Sequence, residues 1–317
     1  MFNEKVLSEG IIATVVVCTH NRKFLLEKTL ISLIKQNFSM EKYEILVVDN
    51  ASEDDTCTLV SQYSSRINPP KIRYIRENRL GSSWARNAGW QHSIGNYVVY
   101  IDDDEYADEN WLSSLLKAFE KTTPTPAVVA GSIFLDWEGK RPDWLPVILE
   151  SYYSLIDFGP RSRFLTGEEY PLTANLAVRR DIFHKMRGFR TDLGHVGTRP
   201  SGGEDIDFIR QIHSCGELIY YEPEAKVFHF VPKARQTRRW LLWRSYAGGL
   251  SQPILNGHNS LSIRRMLYNA RMTIEFGLRA LFFSLIQQDR VALEAALNST
   301  LHLGRIIGQI RSLRGTI

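Results

Sequence analysis

Four short apolar runs alternate with stretches of helical periodicity in the first third of this chain, and that alternation constrains the fold more than any other feature. Ile11–Cys18, Tyr43–Asp49, Lys71–Ile75 and Val98–Ile101 are rich in β-branched residues. Each is too short for a globular helix, so each reads as a strand, the first and last of them buried. Between the first two, Leu25, Leu26, Thr29, Leu30, Leu33 and Ile34 recur at helical steps. Asn50–Asp55 is a helix-start signal leading into Thr58–Tyr63, and a third helix is expected around Ser83–Ser93. Strands separated by helices in this way build an α/β fold around a largely parallel sheet. In such sheets ligands collect beyond the carboxyl ends of the strands.

The residues at those ends carry the chemistry. Thr19, Asn21, Asp49, Ser52 and the run Asp102-Asp103-Asp104 all fall there. Three adjacent carboxylates repel one another unless a cation sits among them. Oxygen donors of this kind suit a hard divalent ion that keeps positions open for phosphates. Strand alternation sends Asp102 and Asp104 to one side and Asp103 to the other. The competing reading is an acidic turn in which Asp104 caps the next helix. No glycine follows the first strand before Arg22. That speaks against a dinucleotide-binding dehydrogenase and a P-loop nucleotidase, so side chains and a metal would have to hold a nucleotide.

Downstream, Trp111–Phe119 reads as a helix and Ala127–Phe134 as a strand. Asp136–Tyr170 is irregular and aromatic. Its tryptophans Trp137 and Trp144 could stack on a sugar face or simply pack. Thr173–Arg180 resumes a strand, and the glycine-rich loop Thr191–Gly203 delivers Glu204 and Asp205 to the start of a helix carrying Ile206, Ile209 and Ile212. Carboxylates there are favoured by the helix dipole alone. The same position suits a general base aimed into a cleft. Leu218–Tyr221 and Ala225–Val231 are two further strands, and Val227, His229 and Val231 share a face of the second. His229 is open to two readings, a core histidine or a metal ligand.

Together these segments resemble glycosyltransferase family 2. The resemblance rests on 15–22, 45–52, 79–89, 101–104, 175–180 and 203–208, in the family's order. It implies the GT-A nucleotide-sugar-binding fold, a Rossmann-like, mostly parallel sheet flanked by helices, over residues 10–232. It also implies an inverting, metal-dependent transfer from a nucleotide-diphosphate sugar, UDP being the expected base carrier, in polysaccharide or glycoconjugate biosynthesis. Carried over position by position, Thr19, Asn21 and Arg22 line the nucleotide pocket, Asp49 holds the base edge with Ser52 beside it, and Arg86 and Asn87 contact the nucleoside or diphosphate. Asp102 and Asp104 match the ends of the Asp-x-Asp motif that binds Mn²⁺ or Mg²⁺. Asp103 lies between them on the nucleotide side, and His229 completes the metal shell in some members. Asp205 matches the base, with Glu204, Asn175, Trp137 and Trp144 on the acceptor side. Two alternatives remain, a sugar nucleotidylyltransferase and a non-catalytic sugar-nucleotide-binding module. The first calls for a glycine-rich basic loop that this chain lacks.

Charge divides the chain. Its 317 residues carry a formal net charge of +4, yet from Lys233 onward 13 basic residues face 3 acidic ones. That tail, 233–317, is expected to form helices at Trp240–Tyr246, Leu261–Gln287 and Val291–Leu313, a C-terminal α-helical extension punctuated by arginines up to Arg314. It either packs as an amphipathic bundle, on its own catalytic domain or in a homo-oligomer, or rests on an anionic membrane near a saccharide or lipid-linked acceptor. No nucleic-acid motif accompanies the charge. Three scattered cysteines, a charged segment Met1–Gly10 and no long uncharged apolar run point to the cytoplasm, with a peripheral place at the membrane's cytoplasmic face as the variant.

Overall fold

The structure is a computed structural model that describes residues 10–197, 202–257 and 262–313. Expectations for the first nine residues, the middle of the Thr191–Gly203 loop, Leu261 and Arg314 lie outside the described residues. The chain forms two compact units. One comprises Met1–Leu135, Leu155–Phe189 and Asp205–Phe230, and the other Asp136–Ser154, Arg190–Glu204 and Val231–Ile317. The division at residue 232 expected from charge therefore needs refining, because two segments assigned to the amino-terminal part cluster with the tail. The reason is visible in the aromatic segment, where Tyr153 stacks on Trp240 at 4.7 Å and Arg238 lies over Trp144 at 5.7 Å.

The first unit is built on β1 (Ala13–Thr19), α1 (Lys23–Ile34), β2 (Tyr43–Asp49), α2 (Thr56–Arg66), β3 (Lys71–Arg76), α3 (Ser82–His92) and β4 (Tyr97–Asp102). There follow β5 (Glu105–Ala107), α4 (Trp111–Lys121), β6 (Val128–Trp137), β7 (Arg163–Phe164), β8 (Asn175–Arg179), α5 (Glu204–Ser214) and β9 (Ile219–Val231). The sheet runs β3-β2-β1-β4-β8-β6-β9-β5, with β7 also on β9. Strands β1 to β4 are parallel, as the alternation with helices requires. Every residue of β2 is buried, and Val98 to Ile101 of β4 are covered on both faces. Each such Val, Ile or Leu contributes about 1.5–3 kcal/mol by leaving water.

The two expected strands before Val231 are one continuous strand, β9, running through Pro223. Proline is tolerated there because β7 pairs with Tyr220 and Tyr221 while β5 pairs with Val227 to His229. Pro223 falls in the gap, where no main-chain donor is wanted on that side.

The second unit holds α6 (Arg238–Leu255), α7 (Ile263–Leu285) and α8 (Asp289–Leu313). Helix α6 extends beyond the expected end at Tyr246 and runs through Gly248-Gly249. Helices α6 and α8 touch backbone to backbone: a Cβ on Gly249 would lie 2.2 Å from the Leu301 carbonyl oxygen, and one on Gly304 2.2 Å from that of Tyr246. Close approach compensates for the weak helix propensity of glycine. Ser245 adds a 2.7 Å hydrogen bond to the Leu297 carbonyl.

Candidate active site

The carboxyl ends of β1, β2 and β4 meet as parallel pairing demands, Thr19 opposite Asp49 and Cys18 opposite Asp102. The turn after β1 has no glycine, and Asn21 takes the left-handed position instead, at φ 54°. Asparagine tolerates that region because its side chain bonds locally. Here Oδ1 accepts from the Glu53 N–H at 2.7 Å, and the Asn21 N–H donates to Ser52 Oγ at 2.9 Å. The two turns are thereby tied together. Ala51, in the second turn, is also left-handed, at φ 58°.

Asp49 is buried, with Oδ1 accepting from the Ser52 N–H (2.8 Å) and Oδ2 from the Tyr74 hydroxyl (2.6 Å) and Arg76 (3.2 Å). A carboxylate has about four acceptor positions, so this ring leaves room for one more donor. Tyr74 and Arg76 were not singled out from sequence.

Strand β4 stops at Asp102, and Asp103 and Asp104 form the turn before β5. Arginines supply part of the positive charge the acidic run needs. Arg22 donates to Asp103 Oδ1 (3.0 Å) and Asp104 Oδ2 (3.1 Å), and Arg86 to Asp102 Oδ1 (3.2 Å). Thr19 donates to Asp103 Oδ2 at 2.7 Å. Asp103 thus faces the β1 turn, and burial holds its carboxyl up to about 6 against the pull of Arg22. Asn110, without a side-chain capping bond, holds the N-cap position of helix α4, so Asp104 is not that helix's cap.

Asp102 looks elsewhere. Its carboxyl is raised chiefly by burial, opposed by Arg86, reinforced by Asp104 and Asp205, and opposed again by His229. Asp104, the candidate base Asp205 and His229 therefore each act electrostatically on Asp102. Asp205 opens α5 and is gripped by Thr173, whose hydroxyl and main-chain N–H both donate to Oδ1. Glu204 precedes it and is buried.

A further group escaped the sequence reading. Glu105 lies directly opposite His229 in the β5–β9 register, with Oε1 3.7 Å from His229 Nδ1. Its side chain is fully buried, and burial together with Asp102 and Asp104 pushes it up to about 8. Two arginines face the three aspartates here, and the donors nearby are carboxylate oxygen and imidazole. Both facts fit a divalent cation. Among the described residues no three such side chains stand ready as a preformed cage. A cation shared with phosphates needs only one or two carboxylates.

Two residues expected at the site make structural hydrogen bonds. Asn175 is buried, its Oδ1 accepting from Trp111 Nε1 and its Nδ2 donating to the carbonyls of Ser132 and Ala225, each at 2.8 Å. No capacity on its amide hydrogens is left for an acceptor. Asn87 donates to the Phe189 carbonyl (2.7 Å) and accepts from the Phe189 N–H (2.9 Å). It fixes the turn at Gly188, where a Cβ would lie 2.5 Å from its Oδ1. Arg86 in turn rests over the Phe189 ring, 5.9 Å from its centroid. Trp137 and Trp144 are half-buried in the second unit, Trp137 against Tyr153 and Trp144 against Arg238.

Comparison with known proteins follows the same lines. The family described as Glycosyl transferase family 2 matches residues 14–187, more than half the chain. The succinoglycan biosynthesis protein ExoM of Rhizobium meliloti is 30% identical over 299 residues, 92% of this chain and 91% of its own. The glucosyl-dolichyl phosphate glucuronosyltransferase of Haloferax volcanii is 27% identical over 248 residues, 77% of each chain. Among solved structures, the mannosyltransferase PcManGT of Pyrobaculum calidifontis, in complex with GDP-Man and Mn²⁺, shares the fold with a TM-score of 0.65 at 20% identity, over 98% of this chain and 89% of its own. The nucleotidylyltransferase alternative falls away with these matches. The α/β sheet, the ordered motifs and the match over more than half its length make this chain a member of glycosyltransferase family 2, an enzyme of sugar transfer in glycoconjugate biosynthesis.

Proposed function

We propose that this enzyme transfers a sugar from a UDP-sugar to a saccharide or lipid-linked saccharide hydroxyl, with inversion and with a divalent cation. The observation that carries the reading is the placing of Asp102 at the carboxyl end of β4 beside Arg86, with Glu105, three residues on, opposite His229 across the β5–β9 register. Asp49 takes the base edge through its remaining acceptor position, and Ser52 and Asn21 keep the pocket wall in place. Asp102, Asp104 and His229 would hold Mn²⁺ or Mg²⁺. Bound there, such an ion would supply neutralisation of the charge that builds on the departing diphosphate. Arg22 and Arg86, which pair with the acidic run, would meet phosphate oxygens of the donor.

Thr173 occupies Asp205 Oδ1, so Oδ2 is the proton acceptor. As the acceptor oxygen loses its proton to Oδ2 it bonds to the anomeric carbon from the face opposite the diphosphate. The bond from that carbon to the diphosphate breaks, its electron pair leaving with the phosphate. One displacement inverts the centre. Support for the cation comes from PcManGT, solved with GDP-Man and Mn²⁺, and from GalNAc-T7, solved with UDP, GalNAc and Mn²⁺. Support for a lipid-linked acceptor comes from the Haloferax relative, named for a dolichyl phosphate substrate. Calorimetry with UDP and GDP, each with and without Mn²⁺, tests the reading. UDP should bind at least tenfold more tightly with Mn²⁺ than without. Equal affinity with and without the metal, or preference for GDP, contradicts it.

A further inference from the structure

Helix α7 packs on α8 through Asn269, Thr273 and Phe276. Asn269 Oδ1 lies 2.8 Å from His302 Nδ1, Ser299 Oγ donates to the Thr273 carbonyl at 2.9 Å, and Phe276 stacks on the His302 ring. At 100° per residue, a second row lies roughly 150° round the helix from that face. Ile263, Leu267, Ile274, Leu278, Leu281 and Leu285 form it, each between 62 and 83% exposed. A bundle helix that only served its own core would keep such a row covered. Exposure of this kind along 23 residues, about 34 Å of helix, marks a surface made to meet something apolar.

Charge identifies the partner. Helix α7 carries four arginines and one acidic residue, Glu275, which Arg271 and Arg279 already flank. Arg264, Arg271 and Arg279 rim one side of the apolar row. A second copy of the chain would bring two such basic rims together with little negative charge to answer them. Anionic headgroups over an apolar interior match both the row and its rim. Among the described residues no helix is long and apolar enough to cross a membrane. We infer that α7 lies in the plane of an anionic bilayer, its leucine and isoleucine row below the headgroups and its arginines among them. This docking is independent of the donor and metal assignments above.

Flotation of the whole chain with vesicles tests it. At low salt the protein should float with phosphatidylcholine vesicles containing phosphatidylglycerol, stay behind with phosphatidylcholine alone, and measure as a monomer by light scattering. Leu278→Glu with Leu285→Glu should abolish flotation, with the circular dichroism spectrum unchanged because both side chains are exposed. Arg264→Gln, Arg271→Gln and Arg279→Gln together should lower partitioning about a hundredfold, roughly fivefold for each arginine. Transfer to a soluble acceptor should stay at the wild-type rate in both variants. Absence of flotation with the anionic vesicles overturns the inference. So does a wild-type dimer that the leucine variant converts to monomer, which would assign the row to a second copy.

Discussion

Replacing Gly131 with alanine probes how the sheet holds its site. Gly131 lies in β6 between β8 and β9, and the Asn175 amide crosses over it from β8 to reach Ala225 on β9. A Cβ at Gly131 would lie 2.0 Å from the Ala225 carbonyl oxygen and 2.3 Å from Asn175 Nδ2. Neither atom is the loose end of a flexible side chain, so β9 and the amide must both move by about 1 Å or more to reach ordinary contact. That displacement breaks the 2.8 Å bonds to Ser132, Ala225 and Trp111 in a fully buried place. Each lost bond costs about 1 kcal/mol, and each buried group left without a partner about 1–3 kcal/mol. The expected destabilisation is about 3–5 kcal/mol, roughly a 10 °C fall in melting temperature for a unit of this size. Asn175→Ala, which strands the Trp111 N–H, should lose about 2–4 kcal/mol. Thermal unfolding followed by tryptophan fluorescence reads both. Either variant melting within 2 °C of wild type refutes the bridging role given to Asn175.

Two further perturbations follow from the geometry. If Glu105 orients His229 toward a cation, Glu105→Ala should weaken UDP binding in the presence of Mn²⁺ by about 10- to 100-fold and leave metal-free binding unchanged; equal loss in both would make Glu105 merely structural. In the second unit His302 has its ionisation lowered by burial and by Arg305. Its folded value lies below its unfolded one, so between the two the unfolded chain binds the extra proton and stability falls as pH drops below about 6.5. His302→Gln should flatten the melting temperature between pH 7.5 and 5.5 relative to wild type, and an unchanged slope would remove His302 as its cause.

Much of the sheet and several site residues were legible because their signals are local. Strand β4 announces itself by β-branched residues and ends where the carboxylates begin, and α5 begins at the acidic pair that follows its glycines. Glu105 was invisible because its meaning comes from a partner more than a hundred residues away, across the β5–β9 register. Thr173 was missed for the same reason, since only the fold brings its hydroxyl to Asp205. Asn175 shows the opposite case. Its motif suggests contact with substrate, but a buried amide must first satisfy its own donors and acceptors, and those of Asn175 bond main-chain carbonyls and Trp111. The continuity of β9 through Pro223 was hidden by a residue that usually ends strands. The first part of the aromatic segment, Asp136–Ser154, clusters with the tail through ring packing that no periodicity reveals.

The most direct test of the account is the transfer rate of Asp205→Asn with saturating donor. Asparagine keeps the shape of the side chain and an oxygen for Thr173 to bond, yet cannot take the acceptor's proton. Turnover should fall about 10²- to 10⁴-fold, with the donor dissociation constant within about twofold of wild type, since each further tenfold in affinity would require about 1.4 kcal/mol of lost contact. Wild-type turnover in this variant would remove Asp205 as the base and with it the proposed single displacement.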